Sequence, residues 1–235
     1  MLAVENLTKH FEDGDRKRIN VLDGLTLSVQ AGEFVSVYGP SGSGKTTLLE
    51  LIAGFQTPDA GTVSVAGQII SHLTPRAHAD YLLRVLGIVG QPHELMPGAS
   101  AQENAALKLL RDDALHANKR IVPLLEQLGL ADRMKQRASK LSMGERQRVQ
   151  IAQALSMDPK LVLADEPTGH LDPSRSREVL ALLAGLCRER ETAVLLATHD
   201  SQAVAYADRA LILHKGHLES YEPETALPPM CEVRT

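Results

Sequence analysis

The octapeptide Gly39-Pro40-Ser41-Gly42-Ser43-Gly44-Lys45-Thr46 sits between an apolar run, Phe34-Val35-Ser36-Val37-Tyr38, and a segment of helical character, Thr47-Leu48-Leu49-Glu50-Leu51-Ile52. A strand, a glycine-rich turn and a helix, in that order, are the setting in which a GxxxxGK[ST] motif binds nucleotide phosphates. Glycines let successive amides curl around an anion, and the helix N-terminus adds its partial positive charge. Lys45 is expected to reach the β- and γ-phosphates, and the Thr46 hydroxyl to ligate Mg²⁺. Gly39, Pro40, Ser41, Gly42, Ser43, Gly44, Lys45, Thr46 and Thr47 are therefore candidate nucleotide-binding residues. The pattern is specific for nucleotide binding and leaves the type of NTPase open.

Working outward, Leu161-Val162-Leu163-Ala164 and Ala193-Val194-Leu195-Leu196-Ala197 are short, nearly all-apolar runs separated by one helical stretch, Ser174 to Arg190. Strands buried on both faces read this way, which predicts a mostly parallel sheet in an α/β layout. The first run ends in Asp165-Glu166, at the sheet edge where α/β proteins bind ligands. Asp165 is expected to hold Mg²⁺, directly or through water, leaving Glu166 to orient and deprotonate an attacking water. His199 ends the second run and is placed to offer a donor to the γ-phosphate; His93, His170 and His214 have no comparable context and are read as structural. Nearer the N-terminus, Leu25-Thr26-Leu27-Ser28-Val29 and Thr62-Val63-Ser64-Val65 alternate as strands, with Asp13-Gly14-Asp15 as a hairpin turn and Arg16-Lys17-Arg18 as a solvated loop. From about Gln102 to Met157 the spacing becomes helical, as in Ile121, Leu124, Leu125 and Leu128 before Gly129.

Composition narrows the function classes. The chain is 43% hydrophobic and 23% charged, as expected of a globular protein, and its 235 residues can bury a full core without staples. A net charge of −4, no Trp and 3% aromatic residues disfavour nucleic acid as a partner. Cys187 and Cys231 form no metal or disulfide framework, which fits a reducing cytoplasm. Glu5, Lys9 and His10 interrupt any secretory signal, and the longest run without a polar side chain, Val179 to Cys187, is about half the ~18–20 residues that cross a bilayer. Residues 221–235, with Pro223, Pro228 and Pro229, read as a loose tail.

Leu141-Ser142-Met143-Gly144-Glu145 has the Ser/Glu spacing of a capping box, and Val149, Ala152 and Leu155 continue a helical face. It is either simply a well-capped helix or an exposed helix N-terminus that meets phosphate across a subunit interface. Together with the phosphate loop and Asp165-Glu166, this stretch resembles the ATP-binding subunit of ABC transporters over about residues 1–220. Leu141 to Val149 is similar to the ABC signature, Gln91 to the Q-loop glutamine that contacts Mg²⁺ and faces the membrane partner, Leu171-Asp172 to the D-loop, His199 to the switch histidine, and Phe11 to the aromatic stacked on adenine. Ala164 to Asp172 is closest to the subfamily of macrolide exporters, lipoprotein-releasing complexes and the cell-division ABC system, which usually has Asn where this chain has His170.

The resemblance implies one ABC ATPase domain. A catalytic lobe of about residues 1–91 and 156–220, with an N-terminal antiparallel β region, would enclose a helical subdomain of about 92–155. It implies ATP and Mg²⁺ as ligands, and a homodimer in the ATP-bound state. In that dimer Ser142 and Gly144 of one copy would meet the γ-phosphate held by Lys45 of the other, and Phe11, Met143, Glu145 and Asp172 are further candidate nucleotide-binding residues. It further implies integral membrane permease subunits as partners and a position on the cytoplasmic face of the cell membrane. Glu166, His199, Gln91 and Lys45 are the candidate catalytic residues; Thr46, Gln91 and Asp165 are the metal candidates. Met143 departs from the usual signature glycine, which tolerates positive φ and close phosphate approach, and so predicts a slower or partner-dependent ATPase. Gly90 replaces a usual aromatic before Gln91. A cassette that signals mechanically through a membrane partner is the alternative function. A chromosome or DNA-repair ATPase would carry a long coiled coil between Lys45 and Asp165, and no sustained heptads lie there. A non-catalytic nucleotide-binding module would follow if Met143 disabled the site.

Overall fold

In the computed structural model, residues 1–12, 18–90, 95–111 and 116–222 are described. Gln91, His93, the Asp13-Gly14-Asp15 turn and the tail from 223 onward lie outside them. Among the described residues the chain forms two sheets. The smaller has the order β2-β1-β4-β5, from β1 (Leu2–Glu12), β2 (Arg18–Val29), β4 (Ala60–Val65) and β5 (Gln68–Ile69), and its pairings are all antiparallel. The larger has the order β10-β9-β3-β8-β7-β6, from β3 (Phe34–Tyr38), β6 (Leu86–Val89), β7 (Leu161–Asp165), β8 (Ala193–Thr198), β9 (Arg209–His214) and β10 (His217–Ser220). Every pairing in it is parallel except β9 with β10.

The apolar strands sort their side chains with a period of two, as a sheet covered on both faces requires. Leu161 and Leu163 of β7 join a buried cluster with Leu2, Val4, Val63 and helix α1 (Lys45–Ala53), which fills the space against the smaller sheet. Val162 and Ala164 face the other way, into a cluster shared with α3 (Ala101–Ala106), α4 (Ala117–Gln127), α5 (Met143–Leu155) and α6 (Pro173–Glu189). The anticipated helical periodicity appears here: Ile121, Leu124, Leu125 and Leu128 are all buried in that second cluster.

Two helices among the described residues have no counterpart in the sequence reading, a single turn at Ser201–Val204 and a longer helix before β6. Helix α2 (Pro75–Arg84) begins with Thr74, whose hydroxyl accepts from Ala77 N–H, and Pro75, whose missing donor is harmless in a first turn. Thr-Pro at that spacing was its signal. Its task is local: Tyr81 Oη donates to Ile52 O at 2.8 Å and His78 Nε2 lies 2.8 Å from Ala53 O, so α2 satisfies two carbonyls left over at the end of α1.

Candidate functional site

Strands β3, β8 and β7 are parallel neighbours, in register such that Tyr38 stands beside Thr198 and Asp165 beside Ala197. The residues that follow each strand therefore emerge at one edge. From β3 comes the loop Gly39–Gly44, pinned to β8 by Gly39 N–H donating to Thr198 O at 3.2 Å. Gly44 caps α1 at φ 103, a conformation open to glycine, and a Cβ at Gly39 would lie 2.8 Å from both Leu213 O and Ser43 Oγ. The glycines thus hold the backbone, not side chains, around the helix start.

Lys45 is only 7% exposed. Its ammonium donates to Gly39 O at 2.8 Å and Pro40 O at 3.0 Å, spanning the loop, and lies 3.8 Å from Glu166 Oε1. Thr46 Oγ1 donates to Asp165 Oδ2 at 2.9 Å. A hydroxyl and a carboxylate meeting there form a hard-oxygen pair of the kind Mg²⁺ uses when substrate phosphates and water complete its shell. No group of three or more His, Cys, Asp or Glu among the described residues forms a metal cluster of its own. Burial pushes the Asp165 carboxyl above its ordinary range, and the negative charges of Glu166 and Glu50 add to this; the Thr46 hydroxyl and Lys45 oppose it. A cation beside Asp165 would relieve that strain.

Glu166 follows with φ 46, a conformation that a non-glycine residue adopts at some cost, and its N–H donates to Ala197 O at 2.9 Å. Its carboxylate is met on both oxygens: His199 Nδ1 is 2.8 Å from Oε1, and Thr198 Oγ1 donates to Oε2 at 3.4 Å. Asp200 N–H in turn donates to Thr198 Oγ1 at 3.0 Å. Thr198 was not among the sequence candidates; its place at the end of β8 was the available signal. A cleft of about 360 Å³ opens beside Glu166 and His199, with Thr168, Gly169, Leu171 and Asp200 also in its wall.

The structure groups the remaining candidates separately. Helix α5 packs on α3, α4, α6 and β6, whereas α1 packs on β4, β7 and β8, so the Ser142–Glu145 turn belongs to another part of the chain than the phosphate loop. Ser142 caps α5 in a full capping box: its N–H donates to Glu145 Oε2 at 2.7 Å, and its hydroxyl accepts from Glu145 N–H at 3.3 Å. Arg133, which no sequence pattern flagged, donates from Nε to Glu145 Oε1 at 2.9 Å. Burial works against ionisation of Glu145, yet the Ser142 amide, the Arg133 guanidinium and the Ser142 hydroxyl together hold its carboxyl below the usual carboxylate range. Met143 is the first residue of α5 and is absent from the non-glycine residues with positive φ. The backbone part of the expectation for Met143 is thereby corrected, because a helical first turn needs no glycine; only its side-chain bulk remains as a difference. A Cβ on the buried Gly144 would approach Arg175 Cδ at 3.8 Å and Leu171 Cδ2 at 4.0 Å, so this turn lies against the segment that carries Asp172. The Asp172 carboxylate accepts from Ser174 and Arg175 N–H, at 3.1 Å each, as the N-cap of α6. Phe11 stands 39% exposed on β1, paired with Ile19 on β2, with Lys9 Nζ 5.5 Å from its ring centre. Gly90 O accepts from Gln147 Nε2 at 3.2 Å, a link between α5 and the end of β6 that sequence reading missed.

The family model described as "ABC transporter" matches residues 22–169, which take in the phosphate loop, the Ser142–Glu145 turn and Asp165-Glu166. The chain belongs to the ABC transporter family. The family's ATP-binding, ATP-hydrolysing cassette accounts for the α/β core with an antiparallel sheet and α1 on one face and helices α3 to α6 on the other. The chain is 40% identical over 224 residues to the lipoprotein-releasing system ATP-binding protein LolD of Psychrobacter arcticus, covering 94% of this chain and 99% of that protein. It is 43% identical over 220 residues to LolD of Chromohalobacter salexigens, covering 93% and 92%. Among solved structures, a dimeric structure of the bacterial ABC transporter cassette MJ0796 superposes with a TM-score of 0.85 at 31% identity, covering 97% of this chain and all of that one. The same cassette in a dimeric post-hydrolysis state bound to ADP and Pi gives 0.84. No helix among the described residues is long and apolar enough to cross a membrane.

Proposed function

We propose that this ABC cassette hydrolyses Mg·ATP to drive a separate membrane permease of the lipoprotein-release type, from the cytoplasmic face of the membrane. The observation that carries the catalytic part is the convergence of Lys45, Thr46, Asp165, Glu166 and His199 at one edge of three parallel strands. Amides of residues 39–46 and the Lys45 ammonium hold the β- and γ-phosphates. Thr46 and Asp165, with Gln91, hold Mg²⁺, which when bound neutralises charge on the phosphates. Glu166 takes the proton of the attacking water, and His199, whose Nδ1 proton is directed at Glu166, keeps that carboxylate aimed. Phe11 offers its exposed ring to the adenine.

Two copies assemble head to tail, so that Ser142, Met143, Gly144 and Glu145 of one meet the γ-phosphate held by the other, with Asp172 beside them. In this reading residues 92–155 are a helical subdomain inserted into a catalytic lobe of 1–91 and 156–220, and the Gln91 region passes its movement to the permease. The names of the relatives favour lipoprotein release over mechanical signalling to a cell-division partner. The test is capture of tagged Glu166→Gln chain from solubilised native membranes with Mg·ATP. Stoichiometric recovery of a polytopic membrane protein supports the reading, and recovery of a soluble ATP-bound dimer alone overturns the permease part of it.

A further inference from the structure

The turn that opens α5 carries an electrostatic contradiction. A helix N-terminus presents about +0.5 elementary charge, which is what makes it attractive to a phosphate. Here the third helical residue is Glu145, and its carboxylate places a full negative charge on the same turn. Left alone, that charge would reverse the sign of the field, to about −0.5. Both carboxylate oxygens are engaged: Oε2 by the Ser142 N–H at 2.7 Å and Oε1 by Arg133 Nε at 2.9 Å. Among the described ion pairs Arg133 is the cation on Glu145. Of the neighbouring guanidinium groups, Arg175 is paired with Asp172 at 3.4 Å, and Arg146 donates to the neutral Leu141 O at 3.1 Å, so it keeps its charge but does not engage the Glu145 carboxylate.

Arg133 is held in place to do this. It ends a single 3₁₀ turn, Ala131–Arg133, closed by its own N–H donating to Leu130 O at 2.9 Å. The following backbone is tied to the start of α3 by Gln102 N–H donating to Met134 O at 3.0 Å and Ala101 N–H to Gln136 O at 2.9 Å. We propose that Arg133 is a positioning residue for nucleotide-driven pairing of two copies: it cancels the charge of Glu145, so that the N-terminus of α5 offers a net positive field to the γ-phosphate held by the other copy. This rests on the reading of Ser142–Glu145 as the face that meets that phosphate. The guanidinium acts through Glu145 and needs no contact with the nucleotide.

The test is a double-mutant cycle on the full chain in the Glu166→Gln background, following ATP-dependent dimerisation by sedimentation. Arg133→Gln keeps a hydrogen-bond donor and loses the charge. Each of two symmetric sites then forfeits a factor of about two to five, so dimerisation weakens by about four- to 25-fold. In the Arg133→Gln background, Glu145→Gln restores dimerisation to near the wild-type value, because the two opposite charges are then removed together, and Arg133→Lys retains most of the wild-type affinity. Failure of Glu145→Gln to restore the affinity lost in Arg133→Gln, or no weakening by Arg133→Gln at all, overturns the proposal while the parent still dimerises. A parent that shows no ATP-dependent dimer overturns the pairing reading itself, and the proposal with it. Arg133 is 49% exposed, so folding of its variants is expected and is checked by thermal unfolding.

Discussion

His199 Nδ1 lies 2.8 Å from Glu166 Oε1, although the two residues end different strands, and Glu166 reaches this position through a left-handed backbone turn at φ 46. A carboxylate only accepts, so the Nδ1 proton is directed at Glu166 and the ring orientation is defined by the residue it serves. The imidazole, the Thr198 hydroxyl and the ammonium of Lys45 surround one carboxylate from three sides. That arrangement aims a base.

Glu166→Gln keeps the shape of the side chain and removes its basicity. Turnover is expected to fall by about 10²–10⁴-fold, the usual contribution of a general base, while ATP binding persists. Single-turnover hydrolysis alongside equilibrium nucleotide binding separates the two. Lys45→Ala is expected to do the reverse and weaken binding itself. Near wild-type turnover in Glu166→Gln would remove it from the role of base.

Asp165→Asn tests the strained carboxylate beside Thr46. Because burial raises the folded-state pKa, the folded chain binds more protons than the unfolded one between the ordinary carboxylate range and the raised value. Stability from this group is therefore lost as pH climbs through that window. Without nucleotide or Mg²⁺, the Asn variant is expected to match wild type at acid pH and to melt higher at neutral pH. With Mg·ATP it should lose most of the ligand-dependent rise in Tm. Melting curves at several pH values check both signs.

Met143→Gly isolates side-chain bulk, since the backbone there is already helical. ATPase activity of the isolated chain is expected to rise by about two- to tenfold, equivalent to at most about 1.4 kcal/mol off the barrier. Stability should drop by roughly 0.5–1 kcal/mol, from the entropy of a helical glycine. Steady-state rates no higher than wild type would show that Met143 is not the brake.

Tyr81→Phe removes the hydroxyl that serves the last turn of α1. The phenol is so buried that its pKa is pushed well above the usual tyrosine range, and it donates to Ile52 O at 2.8 Å. Leaving that carbonyl unpaired is expected to cost about 1–3 kcal/mol. For a chain of this size each kcal/mol lowers Tm by roughly 2–4 °C. Differential scanning calorimetry reads the shift directly, and an unchanged Tm would mean the bond contributes nothing.

The local signals in the chain were sufficient for its parts. Phe34–Tyr38, the glycine-rich loop and the apolar runs before Glu166 and His199 each carry their reading in neighbouring residues, because strand periodicity, turn chemistry and capping act over a few positions. The family resemblance rests on such parts and could therefore be read directly. What the tertiary structure alone decided lies between distant positions. Thr46 and Asp165 share a hydrogen bond across 119 residues because β3 and β7 flank β8 in register. Met143 sits in an ordinary helical turn, and Arg133 meets Glu145, because the segment before α5 folds back along α3. Pairing of this kind depends on which strands and helices become neighbours in the packed core, and no pattern of period two or 3.6 contains that information.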